Sequence, residues 1–250
     1  MSGHSHWAGI RRRKEVVDAK RGRLFSRLAK NIMSAARTGG GDPDSNLTLR
    51  YAIEAARAGN MPKDSIERAI LKGTGQLPGT SLEEMTYEGY GPGGAAVMVE
   101  VLTDNRNRTA AEVRKLFDTH GGNLAGAGSV AWMFTKKGLI TIEQSAIDED
   151  ELIELALEAG ADDVKPEGGI YEITCAVEDF QALRKAVAGR GLEPAVAEIS
   201  QIPHNTVKLD ASASRKMLKL CDALEDHEDV QHVYANFDLP EQIMAEMAAD

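Results

Sequence analysis

The hydrophobic period of this chain changes near residue 80, and that change bounds the folds open to it. Before it, apolar residues recur at helical spacing between glycine stops. Leu24, Leu28, Ile32, Ala35 and Ala36 share one arc of a helix predicted over 18–37 and stopped by Gly39-Gly40-Gly41. A second helix is predicted over 47–58, capped by Ser45 or Asn46 and ended by Gly59. A third opens at Pro62, whose missing N–H costs nothing in a first turn, and stops at Gly73. Residues 73–80 read as a linker. Beyond it, β-branched runs alternate with amphipathic stretches. Strands at 95–102 and 129–135 flank a helix at 109–120. The segments 139–143, 149–159, 163–165, 170–176, 178–188 and 195–201 then follow as strand–helix–strand–strand–helix–strand, the ferredoxin-like order. A last strand–helix–strand occupies 206–209, 213–224 and 230–236. The fold class is therefore α+β multidomain: an N-terminal three-helix domain plus two α/β domains. A ferredoxin-like βαββαβ domain (137–203) is inserted into a second βαββαβ-type domain (80–136 plus 204–250), after a basic helical domain (1–79). Three consecutive domains are the alternative topology.

Charge follows the same division. Residues 1–79 hold 15 Lys and Arg against 7 Asp and Glu, and residues 80–250 hold 14 against 32. A basic end on an acidic chain points to a local nucleic-acid contact, with the rest repelled by that nucleic acid or turned to a basic partner. Lys20, Arg23, Arg27, Lys30 and Arg37 lie opposite the apolar arc of the first helix. An extended arm before it carries His4, His6, Trp7 and the run Arg11, Arg12, Arg13, Lys14. Cations at helical spacing can follow a phosphate backbone, and a tryptophan beside arginines can stack on an unpaired base. A solvated helix face with a disordered tail is the alternative reading.

Between a strand and a helix stands Thr103-Asp104-Asn105-Arg106-Asn107-Arg108-Thr109. Cations at a helix N-terminus oppose its dipole, and a bound anion would reverse that cost. Arg106 and Arg108 are thus candidate phosphate contacts; equally, Asn105 or Asn107 caps the helix and Asp104 pairs with the arginines. The glycines of Tyr87–Gly94, of Gly121-Gly122 and of Gly126-Ala127-Gly128 serve tight turns or a close backbone approach. They follow a helix and precede a strand after residue 120, the reverse of a dinucleotide loop, and no Walker A or zinc pattern occurs. No catalytic residue, metal ligand, cofactor or small-molecule substrate is indicated, so the chain reads as a non-enzyme. The acidic clusters at 148–151 and 222–229 read as solubilising surface. Cys175 and Cys221 sit in apolar patterns and read as buried free thiols. With no apolar run of about 18 residues and no signal-like or acylated start, a cytoplasmic address is expected and no membrane partner.

These residues resemble the YebC family of probable transcriptional regulatory proteins, which includes the mitochondrial translational activator of cytochrome c oxidase. The likeness runs through GHSHWAGI at 3–10, Asp18, Arg21-Gly22, Phe25, Asn60-Met61-Pro62, Arg68-Ala69-Ile70 and Lys72-Gly73. It continues through YEGYGPGG at 87–94, TDNRNRT at 103–109, Glu112-Val113-Arg114, Gly121-Gly122-Asn123-Leu124 and Gly128-Ser129-Val130. Ala125 stands where the family usually has glycine, and Arg11-Arg12-Arg13 where it mixes Lys and His. The resemblance implies a three-helix domain, two α/β domains with one inserted in the other, and a non-enzymatic, nucleic-acid-associated protein. A DNA-binding transcriptional regulator and a ribosome-associated translation factor contacting rRNA are the two functions it leaves open.

Overall fold

The computed structural model describes residues 18–78, 82–240, 242–244 and 246. Helix α1 (Asp18–Gly39) packs against α2 (Leu47–Ala58) and α3 (Lys63–Gly73) around Leu28, Ile32, Ala36, Leu49, Ile53 and Ala69. Asn46 caps α2, its Oδ1 accepting from the N–H of Leu49 at 3.0 Å, while its Nδ2 donates to the carbonyls of Ala35 and Gly40. One side chain thereby closes two helix ends. Gly59 ends α2 as expected (φ −76), and the left-handed residue follows it at Asn60 (φ 58). Asparagine tolerates that region better than other residues with a Cβ. At Gly73 a Cβ would lie 2.5 Å from the Met33 carbonyl, so glycine lets α3 end against α1.

The first sheet is antiparallel, in the order β3 (Asn123–Leu124), β1 (Glu83–Tyr90), β2 (Ala96–Thr103), β9 (Val230–Ala235). Val97, Val99 and Val101 of β2 face α4 (Arg106–Thr119) and α7 (Ala211–Glu225), burying Val113, Phe117, Met217, Leu220 and Leu224. On its other face Ala96, Met98 and Tyr234 pack on Val130 and Phe134. Strand β1 is absent from the sequence reading. Its segment EEMTYEGY is rich in residues depleted from strands, yet it pairs with β2 over all eight positions, from Glu83↔Thr103 to Tyr90↔Ala96. Conversely, the strand expected at 129–135 forms only from Phe134, where β4 (Phe134–Glu143) begins. Before it come a loop and a 3-10 turn (Ala131–Met133), because a buried carboxylate takes N–H groups a strand partner would use.

The second sheet follows the order β5 (Ala161–Glu167), β6 (Ile170–Cys175), β4 (Phe134–Glu143), β7 (Val196–Pro203). All its pairs are antiparallel, and α5 (Glu149–Glu158) and α6 (Phe180–Gly189) cover one face. This is the ferredoxin-like arrangement, and its strands interrupt the first sheet in sequence. Ile140, Ile142, Ile173, Leu152, Leu183 and Val187 fill its core. A Cβ at Gly138 would sit 2.6 Å from the Cys175 sulfur, so β4 needs glycine where it crosses Phe180. Three acids open α5 behind the Asp148 cap, where the helix dipole favours them. The segment expected to be a full strand at 206–209 is the two-residue β8 (Val207–Lys208), paired in parallel with β10 (Phe237–Asp238). Cys175 and Cys221 are buried free thiols, and burial pushes the Cys175 thiol up. No helix among the described residues is long and apolar enough to cross a membrane.

Candidate nucleic-acid interface and its internal anchors

The helix-opening motif folds as its residue types dictate. Asn105 caps α4, accepting from the N–H of Arg108 at 3.1 Å, and Asp104 pairs with the Arg108 guanidinium at 3.1 Å. An anion is present as well, and the chain supplies it. Asp229, fully buried at the start of β9, accepts from Arg108 Nη2 (2.8 Å), Thr109 Oγ1 (2.6 Å) and Thr103 Oγ1 (3.1 Å) on one oxygen. Its other oxygen holds Lys30 Nζ of α1 at 2.5 Å. Burial alone would raise the pKa of this carboxyl. The hydrogen bonds from Lys30, Thr109 and Arg108 overcome that and hold it well below the usual carboxylate range. The capping and pairing reading of the motif is thus realised, and the anion that Arg108 meets is a carboxylate of the chain itself.

Lys30 also donates to the Glu228 carbonyl at 3.1 Å, and one turn later Ser34 donates to Glu84 of β1 at 2.6 Å. Residues four apart share a helix face, so the docked stripe of α1 includes part of its predicted cationic face. Of the predicted contacts, Lys30 and Arg108 meet on Asp229. Arg27 is half-buried, while Arg37 and Arg106 are exposed. His4, His6, Trp7, Arg11, Arg12, Arg13 and Lys14 lie outside the described residues, as do the side chains of Lys20 and Arg23.

Glu112, His227 and Asp229 place three ligand atoms within 4.8 Å of one another, a spacing that suits a metal ion. The donor set does not. Asp229 already holds an ammonium and a guanidinium, and His227 Nε2 lies 2.9 Å from Glu112 while its Nδ1 accepts the Asp229 N–H. A cation there would meet two resident positive charges.

A second buried carboxylate works differently. Glu88 of β1, 6% exposed, accepts the N–H groups of Gly128 (2.7 Å), Val130 (2.7 Å) and Ala131 (2.8 Å). Burial opposes its charge, but those three bonds outweigh it and lower its pKa. The stretches Tyr87–Gly94 and Gly126–Gly128, expected as tight turns or points of close approach, are joined by Glu88, a buried acid of the first that holds the second. Gly89 and Gly122 do serve close approach: a Cβ would lie 2.6 Å from the Asn123 carbonyl and 2.7 Å from that of Tyr90.

Sequence reasoning missed one further feature. Leu47, Arg50, Tyr51 and Glu54 of α2 face Gln181, Arg184, Lys185 and Ala188 of α6 across a cleft of about 430 Å³. Arg184 and Glu54 meet across it at 3.9 Å. The signal available was the pair Arg184-Lys185 inside an acidic region.

Two family models cover almost the whole chain. One, the TACO1/YebC protein N-terminal domain, matches residues 5–76, and the other, the TACO1/YebC second and third domain, matches 82–237. A probable transcriptional regulatory protein of Dictyoglomus turgidum is 53% identical over 99% of this chain and all of its own length. One of the same name from Pelotomaculum thermopropionicum is 56% identical over 96% of this chain and 99% of its own. The crystal structure of a conserved hypothetical protein, Aq1575, from Aquifex aeolicus superimposes with a TM-score of 0.81 at 46% identity. It covers 92% of this chain and 95% of that one. Motifs, fold and full-length similarity agree: this chain belongs to the TACO1/YebC family.

Proposed function

We propose that this protein is a nucleic-acid-binding regulator of gene expression that makes its contact through the cationic first third of the chain. The observation that carries this reading is the charge division, 15 cations against 7 acids before residue 80 and 14 against 32 after it. Neutralising a phosphate chain releases counterions, which rewards a concentrated basic end. The acidic body is repelled by the same polyanion, so the encounter is oriented. Because Lys30 and Arg108 are held by Asp229, the contact centres on the arm (His4, His6, Trp7, Arg11–Lys14), the first turns of α1 (Lys20, Arg23) and the exposed Arg106. The role of Lys30 is to tether that unit to the body.

The relatives' shared name, probable transcriptional regulatory protein, supports a transcriptional regulator, for which duplex DNA is the polyanion we propose. A ribosome-associated translation factor is the second reading, supported by the acidic body, which suits basic ribosomal proteins, and by an arm whose Trp7 and histidines suit splayed RNA bases. Crosslinking in cells followed by sequencing of the attached DNA and RNA separates them. Enrichment at promoters supports the first and enrichment on ribosomal RNA the second. Recovery of neither above a variant lacking Arg11, Arg12 and Arg13 would refute the proposal.

A further inference from the structure

Trp132 is 67% exposed, the most exposed large hydrophobic side chain among the described residues. Leaving an indole in water forfeits a large apolar burial, and a flexible loop would fold it away. This loop is not free to do so. Glu88 fixes the N–H groups of Gly128, Val130 and Ala131 from below. The Ser129 carbonyl accepts from the Trp132 indole N–H at 3.1 Å and from the Tyr90 hydroxyl at 3.1 Å. A buried carboxylate, a tyrosine and a carbonyl together hold one edge of the ring and leave the rest of it to solvent.

The surroundings of the ring distinguish a nucleic-acid partner from others. Residues 119–142 form a run of 24 without one Asp or Glu, inside a region that carries 32 acids. A second acid-free run, 199–209, is bonded to it. The His204 N–H donates to the Met133 carbonyl at 2.9 Å, His204 Nε2 lies 2.5 Å from Thr135 Oγ1, and Phe134 pairs with Pro203. Exposed Lys136, His204 and Asn205 therefore belong to the same strand ends as Trp132. The loop beside it, Gly126-Ala127-Gly128, is exposed and bears no bulky side chain. An aromatic plane with neighbouring cations and donors, on strand ends that carry no acid of their own although Glu88 lies buried beneath and Glu100 and Glu198 act on the adjoining Tyr234, is a stacking platform. We propose that Trp132 stacks on an unpaired base of single-stranded nucleic acid, with Lys136 and His204 taking the adjacent phosphate. This rests on the reading above and adds to it a second contact, on the body rather than the basic end.

The chain has two tryptophans, so Trp7→Phe leaves Trp132 as the sole indole reporter. In that background, titration with 12-mer oligouridylate and oligothymidylate is expected to quench the fluorescence saturably. Read by anisotropy of a fluorescein-labelled oligonucleotide, Trp132→Ala should weaken binding by about 5- to 100-fold, Trp132→Phe should restore most of it, and Trp132→Leu should not. The slope of affinity against salt should not change, because stacking neutralises no phosphate. Preference for the uridylate assigns the source as RNA, and preference for the thymidylate assigns it as DNA. Unchanged affinity in Trp132→Ala overturns the proposal, as does full rescue by leucine, which would mark a hydrophobic protein contact instead. If Arg11→Gln/Arg12→Gln/Arg13→Gln abolishes binding while Trp132→Ala does nothing, the general reading survives and this one fails. If no nucleic acid binds at all, both fail.

Discussion

Two buried carboxylates, each kept ionised, hold this molecule together in different ways. Asp229 is surrounded by side chains from three separate segments: Lys30 of α1, Arg108 and Thr109 of α4, and Thr103 of β2. Glu88 is surrounded by main-chain N–H groups of one loop. The first joins a basic helical unit to an acidic body, and the second gives shape to a local segment. The difference shows that burial says little about a carboxylate's task; the sequence separation of its partners says much more.

Asp229→Asn should produce the largest loss. It removes the countercharge that Lys30 meets and leaves Arg108 with Asp104 and Glu112, so the loss is at most about 3–5 kcal/mol, the cost of breaking a buried pair. Hydrogen exchange should quicken along α1 as the helical unit loosens, with the amides of Gly128, Val130 and Ala131 unaffected. Glu88→Gln should reverse that pattern. Bonds to a charged group are worth roughly 1.5–3 kcal/mol, and the loss should appear as faster exchange at those three loop amides, leaving α1 protected. If both variants loosened both regions equally, the comparison would collapse. Gly89→Ala, which drives a Cβ toward the Asn123 carbonyl, should cost about 1–3 kcal/mol by overpacking and shift β3.

Acid sharpens the same comparison. Both carboxyls have folded-state pKa values below their unfolded values. Their contribution is therefore fully present above the ordinary carboxylate range, near 4, and is lost as pH falls through the folded values. Wild-type stability should fall steeply below about pH 4, and Asp229→Asn should flatten that fall. Glu54→Gln should matter least. Its partner Arg184 is 3.9 Å away and both side chains are nearly half exposed, so less than about 1 kcal/mol is expected in thermal unfolding.

Much of this architecture was legible in the residues. Helical spacing and the glycine stops placed α1 to α3, and the strand–helix order placed the ferredoxin-like sheet, because local period dominates where one face is buried. Strand β1 was not legible: Glu83, Glu84, Glu88 and Gly89 oppose a strand locally, and only pairing along β2 makes one. The Asp229 centre was half visible. The arginines at a helix start announced an anion, but the carboxylate that supplies it lies about 120 residues later in sequence, among acids that read as plain surface. Lys30 looked like a phosphate ligand for the same reason, since nothing local to α1 reveals the carboxylate it meets. Trp132 escaped notice because an apolar residue in a β-like run reads as core; its exposure follows from the Glu88 bonds that stop the strand from forming.

The most direct test of the central claim is retention on duplex DNA and on ribosomal RNA measured against salt, for the full chain and for Arg11→Gln/Arg12→Gln/Arg13→Gln. With the fold intact, the slope of log affinity against log salt should fall by about 0.9 for each DNA phosphate no longer neutralised, or about 2.7 if all three arginines engage. An unchanged slope on both nucleic acids would contradict that claim.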